Sequence, residues 1–194
     1  GNSSGFGLKK IGIEIGSNNH IIVDKNGKTN LDNIYAVGDV IGPPWLAHVS
    51  SSEGLYVVEH IAKLSPKKID YDCVPACTYS KPEIGSIGLS QKILDERGID
   101  YKVVKSFFNA NGKAVASDST EGFIKILVSD RNQILGAHII GSNATEMISE
   151  FSLAMSNNLS VENILDSIHP HPTFSEAIFE TLMQLRSVSY THLR

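Results

Sequence analysis

The stretch with the most definite chemical content is His169-Pro170-His171-Pro172-Thr173-Phe174-Ser175-Glu176. A proline pushes the residue before it out of the α region, so both histidines sit on stiff, extended backbone. His171 is thereby presented at low entropic cost, immediately before a helix start. Glu176 falls in the first turn of that helix, opposite its apolar stripe, where a carboxylate can reach back toward the loop. An imidazole with an ordinary pKa near 6.5 is the natural proton acceptor at neutral pH, and a nearby carboxylate fixes its tautomer and stabilises its cation. A free thiol with pKa near 8.5 is only about 3% thiolate at pH 7. Thiolate is the species that attacks a disulfide, so a positioned base accelerates dithiol chemistry, typically by ~10²–10⁴-fold. The plainer reading gives Glu176 to a capping box with Thr173 and leaves His171 a loop residue without catalytic duty. For Glu176, capping and orienting are compatible.

Two further places invite chemistry. Gly38-Asp39 closes a short apolar segment, Ile34-Tyr35-Ala36-Val37. There a glycine lets a ligand approach the strand end, and Asp39 can accept hydrogen bonds from sugar-alcohol hydroxyls; a helix cap is the commoner use of such a pair. Cys73 and Cys77 are the only cysteines. On an extended chain they lie roughly 13 Å apart, beyond the ~7 Å reach of a disulfide. No His or Cys nearby completes a metal site, so they read as structural thiols in a reducing compartment.

The elements that must position these residues change character along the chain. Ile11–Ile15 and His20–Val23 read as short strands, with a turn at Lys25-Asn26-Gly27 and a buried strand at Ile34–Val37. A helix is expected over Ser51–Ala62, and Ser65-Pro66-Lys67-Lys68 ends that pattern. Beyond it, strands are expected at Val74–Tyr79, Ile84–Leu89, Tyr101–Phe108, Gly122–Val128 and Ile134–Ile140, the last ones forming an antiparallel meander, with a helix over Gln91–Arg97. Asn143 and Glu146 have capping-box spacing ahead of a helix with Ala144, Met147, Ile148, Phe151 and Met155 on one face. Its two methionines read as core or interface residues. Ser160 can cap a short helix to about Asp166, and the helix after Thr173 carries Phe174, Ala177, Ile178, Leu182 and Leu185 as its stripe. Strands followed by packed helices make an α+β class.

Bulk properties narrow the function further. The 194 residues carry 41% hydrophobic content and a net charge of −4. With no basic stripe there is little for nucleic acid to hold. No apolar run approaches the roughly 20 residues of a membrane span. Gly1 begins without a charged-then-apolar leader and reads as the edge of a longer chain.

In the His169–Ala177 stretch the sequence resembles the pyridine nucleotide–disulfide oxidoreductases, in the dihydrolipoamide dehydrogenase version of their C-terminal active-site motif. The resemblance implies that His171 is the proton acceptor and Glu176 its orienting acid, and leaves His169 without a catalytic role. Asp70–Glu83 resembles the entry strand of the family's interface domain, and Leu135–Gly141 through Met147 its later strand and helix, making His138 a core or interface residue. Thr29–Asp39 resembles the family's second FAD motif. Gly38 and Asp39 are then expected at FAD, and Trp45, Leu46, Ala47 and His48 on the segment that passes beside the flavin, with Trp45 departing from the family's usual residue there. The similarity runs from about Phe6 to Leu185.

The resemblance implies an antiparallel sheet with helices, the interface domain, over residues 67–186. It is preceded over 1–66 by the end of an NAD-binding segment and the C-terminal part of an α/β FAD-binding domain. Residues 187–194 fit no family pattern and read either as a cloning remnant or as divergence. Nothing matches the Gly-rich FAD loop, the active-site cysteine pair or the NAD domain, so the chain is expected to be an inactive part of a longer enzyme whose second half dimerises. By resemblance the parent is an FAD-containing homodimer, without metal, using NAD as substrate. It would serve dihydrolipoamide on 2-oxo-acid dehydrogenase or glycine-cleavage complexes, in a mitochondrial matrix, a plastid-type organelle or a bacterial cytoplasm. The competing expectations are a sibling glutathione-type disulfide reductase and a dimerisation module whose His–Glu pair is idle.

Overall fold

A computed structural model describes residues 1–191, with side chains described as far as Arg186. The chain forms two compact units, Gly1–Ile69 and a second beginning at Asp70.

In the first unit the expected strands shrink to bridges. Ile15 pairs with Ile21 and Lys28 with Tyr35. The Ile34–Val37 segment makes two backbone bonds to the chain before it, Thr29 N–H to the Ile34 carbonyl and Ala36 N–H to the Gly27 carbonyl, which leaves a bridge and no ladder. The turn between the bridges is held by Asp24, whose Oδ1 accepts the N–H groups of Asn26 and Lys28. A 3₁₀ turn over Gly38–Ile41 follows. Helix α1 runs Ala47–Ile61, starting four residues before the expected Ser51. Ser51 and its neighbouring serines lie inside it. Ser50, Ser51 and Ser52 donate their hydroxyls to the carbonyls of Leu46, Ala47 and His48, the back-bonding that lets serine sit within a helix. Ile13, Ile21, Val49 and Val57 form this unit's buried apolar set.

The second unit is the expected antiparallel sheet with helices. Its elements are β1 (Ala76–Thr78), β2 (Ile84–Gly88), α2 (Gln91–Arg97), β3 (Lys102–Phe107), α3 (Gly112–Ala116), β4 (Phe123–Val128), β5 (Ile134–Ile140), α4 (Ala144–Ser156), α5 (Val161–Leu165) and α6 (Glu176–Thr191). Every pairing is antiparallel, in the order β1-β2-β5-β4-β3. Helix α4 packs on β2 and β5, and α6 on β3 and β4, so both lie over one sheet face. Between them lies the core: Ile124, Ile126 and Ile139 from the sheet, Ile148 and Phe151 from α4, Ile178 and Leu182 from α6. Full burial of a residue of this size contributes about 1.5–3 kcal/mol. Met147 is buried and Met155 packs against the same core. The approach of α4 to β2 is close. A Cβ on Gly85 would stand 2.4 Å from the Ala144 carbonyl oxygen.

Several expectations need correction. The strand expected at Val74–Tyr79 shrinks to three residues, Ala76–Thr78, after a 3₁₀ turn over Tyr71–Cys73, because Pro75 lacks a ladder N–H. Phe108 leaves its strand to enter a 3₁₀ turn. Short helix α3 has no counterpart in the sequence reading; it is capped by Asn111, whose Oδ1 accepts the Ala114 N–H at 3.0 Å. The capping box at Asn143 does not form. Asn143 is left-handed, at φ 60°, and makes no side-chain cap. Glu83 caps α4 from across the fold instead, accepting the N–H and hydroxyl of Thr145 at 3.1 and 2.8 Å. Of the tail over 187–194, residues as far as Thr191 continue α6; residues 192–194 lie outside the described residues.

Candidate active site

The loop from Ser167 to Ser175 joins α5 to α6 and carries the expected pair. Nδ1 of His171 stands 2.9 Å from Oε1 of Glu176. The other carboxylate oxygen, Oε2, accepts the Thr173 N–H at 2.8 Å. Glu176 thus forms half of the expected capping box. The other half is absent, because the Thr173 hydroxyl donates to the Pro170 carbonyl at 2.7 Å. Held first by the Thr173 N–H and then by His171, the Glu176 carboxyl is pushed below the usual carboxylate range.

The geometry assigns the proton. With Nδ1–H donating to the carboxylate, the imidazole lone pair is left on Nε2. The His171 side chain is 77% exposed, against 22% for Glu176. A base open to a reactant is thus backed by an acid fixed to the protein. Beside the loop a groove of about 330 Å³ is lined by Glu146, Met147, Glu150, Pro172 and Thr173.

Asn111 escaped the sequence reading. It is buried, and its Nδ2–H donates to the Thr173 carbonyl at 3.1 Å while its Oδ1 caps α3. The residue whose N–H holds Glu176 is thus fixed from the α3 side through its own carbonyl. Only an Asn ahead of a short Gly-Lys-Ala segment hinted at it.

In the first unit, Gly38 has φ +76°, and a Cβ there would meet the Ser50 Oγ at 2.7 Å. The glycine is thus required by the close approach of α1 in addition to any ligand. Its N–H donates to the buried Glu53 carboxylate at 2.6 Å. Asp39, Ala47 and His48 are exposed, Leu46 is half-buried, and α1 opens at Leu46 without a side-chain cap. Trp45 is 62% exposed and its ring lies 6.3 Å from that of His20. A free acidic acceptor, an aromatic face and an uncapped helix start suit a flavin nucleotide's ribityl hydroxyls and ring.

The remaining candidates are structural. Cys73 and Cys77 form no disulfide, and burial followed by the Glu83 charge pushes the Cys77 thiol up. His138 Nε2 lies 3.2 Å from the Leu89 carbonyl, and burial pushes its pKa down. Among the described residues no group of three His, Cys, Asp or Glu side chains is arranged to hold a metal, and no helix is long and apolar enough to cross a membrane.

Comparison with known proteins fixes the family. The pyridine nucleotide-disulphide oxidoreductase dimerisation domain matches residues 74–182. The chain belongs to this family. A second description, pyridine nucleotide-disulphide oxidoreductase, matches residues 2–54. Mitochondrial dihydrolipoyl dehydrogenase of Caenorhabditis elegans is 41% identical over 92% of the chain and 36% of its own length. The enzyme of the same name from Sus scrofa is 44% identical over 90% and 34%. Leghemoglobin reductase of Glycine max is 38% identical over 99% and 37%. Among solved structures, LpdA from Mycobacterium tuberculosis superposes with a TM-score of 0.89 at 28% identity, over 95% of the chain and 40% of LpdA. The chain therefore spans little more than a third of the curated relatives it matches.

Proposed function

We propose that this chain is the His–Glu-bearing part of a flavin-dependent dihydrolipoyl dehydrogenase, in which His171 accepts a proton from the dithiol of dihydrolipoamide. The observation that carries the proposal is the 2.9 Å contact of Nδ1 with the Glu176 carboxylate on a ring otherwise open to solvent. Identity to dihydrolipoyl dehydrogenases supports the substrate class.

The chain's own residues act as follows. Glu176, tied to the Thr173 N–H, holds the imidazole with its proton on Nδ1. Nε2 takes the proton of a substrate thiol, leaving the thiolate that attacks a disulfide. The imidazolium so formed is stabilised by the same carboxylate, and the proton can later return. Gly38 and Asp39, with the Trp45–His48 segment, would hold FAD, Asp39 accepting its ribityl hydroxyls. When bound, FAD supplies two-electron transfer between a disulfide and NAD⁺. As in the family resemblance, the disulfide belongs to the partner in a homodimer, so the chain alone is inactive. Residues 1–66 are accordingly the end of the nucleotide-binding part and 67–186 the interface domain.

The test uses the full-length parent enzyme. His171→Gln is expected to lower NAD⁺-linked turnover of dihydrolipoamide by about 10²–10⁴-fold with FAD content and dimer size unchanged. Wild-type turnover in that variant would leave an idle dimerisation module, and preference for glutathione disulfide would move the enzyme to the sibling reductases.

A further inference from the structure

The first histidine of the motif is held quite differently from the second. Nε2 of His169 lies 2.9 Å from Oε1 of Glu150 on α4, and Nδ1 lies 3.2 Å from the Ser167 carbonyl. Its ring also packs against Phe179 of α6, with centroids 5.9 Å apart. The side chain is 9% exposed, where that of His171 is 77% exposed. One imidazole is seated between two helices, and the other is presented to solvent.

The surrounding chain makes that seat matter. Asp166, Ser167 and Ile168 are exposed, Ile168 at 98%, and so are Pro170, His171 and Pro172. Between buried Leu165 and buried Phe174, only His169 and Thr173 are not exposed. Thr173 fixes the exit of the loop, through Asn111 and Glu176. Its entry is tied to α5 by the Ser167 hydroxyl on the Asn163 carbonyl and to α6 by the Asp166–Arg186 pair, and His169 adds the tie to α4 next to His171. Only Pro170 separates it from His171, and the proline ring locks one of the intervening torsions, so displacement at 169 is passed on to 171.

We propose that the His169–Glu150 pair is a positioning device that sets where the His171 imidazole stands, with no proton transfer of its own. This rests on the role proposed for His171. A ~1 Å misplacement of a reacting group can cost about 10²-fold in rate, so the contribution is read in kcat.

In the full-length, flavin-loaded parent enzyme, His169→Phe and Glu150→Ala are each expected to lower kcat for dihydrolipoamide by about 10–100-fold. KM should change by less than about twofold, because the pair acts through the His171 imidazole and not on the substrate. His169→Gln, whose amide N–H reaches the Nε2 position, is expected to recover most of the loss. The double variant His169→Phe/Glu150→Ala should be no slower than either single one, because each removes the same contact. Glu150→Ala trims a side chain at the surface of α4, so the inference stays testable if His169→Phe does not fold. Wild-type kcat per folded enzyme in Glu150→Ala, even with a lowered thermal midpoint, would reduce the pair to a stabilising contact and overturn the inference. Losses that add in the double variant would overturn it too. Running His171→Gln alongside keeps the failures apart. If that variant retains turnover, the proposed function falls; if it loses turnover while Glu150→Ala does not, only the positioning role falls.

Discussion

Glu176 holds His171 with one oxygen and its own loop with the other, Oε1 at 2.9 Å from the imidazole Nδ1 and Oε2 at 2.8 Å from the Thr173 N–H. The carboxylate is anchored by backbone before it orients the base, which separates this pair from a casual surface ion pair. In Glu176→Gln an amide replaces the carboxylate and the imidazolium loses its counter-charge. Turnover by the parent enzyme is expected to fall by about 10-fold or more, as measured by steady-state kinetics with dihydrolipoamide.

The same contacts set an acid limit. The Glu176 pKa is depressed in the folded state by the Thr173 N–H and then by His171. A depressed folded pKa gives stability that is present above the unfolded value, 4.5, and is lost as pH falls through the folded one. The pair should stay intact at pH 4.5 and loosen only below it. An NMR titration of the Glu176 carboxyl carbon checks this, and a midpoint at or above 4.5 would contradict it.

His138 works the other way through the histidine range. Burial lowers its folded pKa below 6.5, so its stabilising contribution is present above pH 6.5 and declines as pH falls through the folded value. Thermal midpoints measured between pH 7.5 and about 5.5 should decline less steeply in His138→Gln than in the wild type.

How much of this was legible depends on the range of the interaction. Helix α2 and strands β4 and β5 follow from local alternation and turn residues, and the His171–Glu176 contact spans only five residues of a stiffened loop. Glu83 capping α4 and Asn111 holding Thr173 each join residues 62 apart, and nothing in local spacing announces such a partner. Helix α3 is too short to show a period. The first turn of α1, ahead of the expected Ser51, was not legible, because the back-bonding that seats serines within a helix does not show in the sequence. His169 drew notice only as a neighbour, since its burial depends on α4 and α6.

Asn111 is expected to act through backbone. Asn111→Ser keeps a good cap for α3 but no longer reaches the Thr173 carbonyl, leaving an acceptor without its donor. A loss of about 1–3 kcal/mol in unfolding free energy follows, measurable by urea titration of the purified protein.

Flavin retention tests the first unit. Gly38→Ala places a Cβ 2.7 Å from Ser50 Oγ at φ +76° and should displace Asp39. Both Gly38→Ala and Asp39→Ala in the parent are expected to raise the Kd for FAD by about 10-fold or more, read by fluorescence titration of the apoenzyme.

The sharpest measurement is rapid-mixing observation of the two half-reactions in the full-length parent carrying His171→Gln. Reduction of the enzyme by dihydrolipoamide is expected to slow by about 10²-fold or more, while reduction by NADH, which requires no proton from the dithiol, keeps its wild-type rate. Equal rates of dithiol reduction in wild type and variant would contradict the assignment of His171 as the proton acceptor.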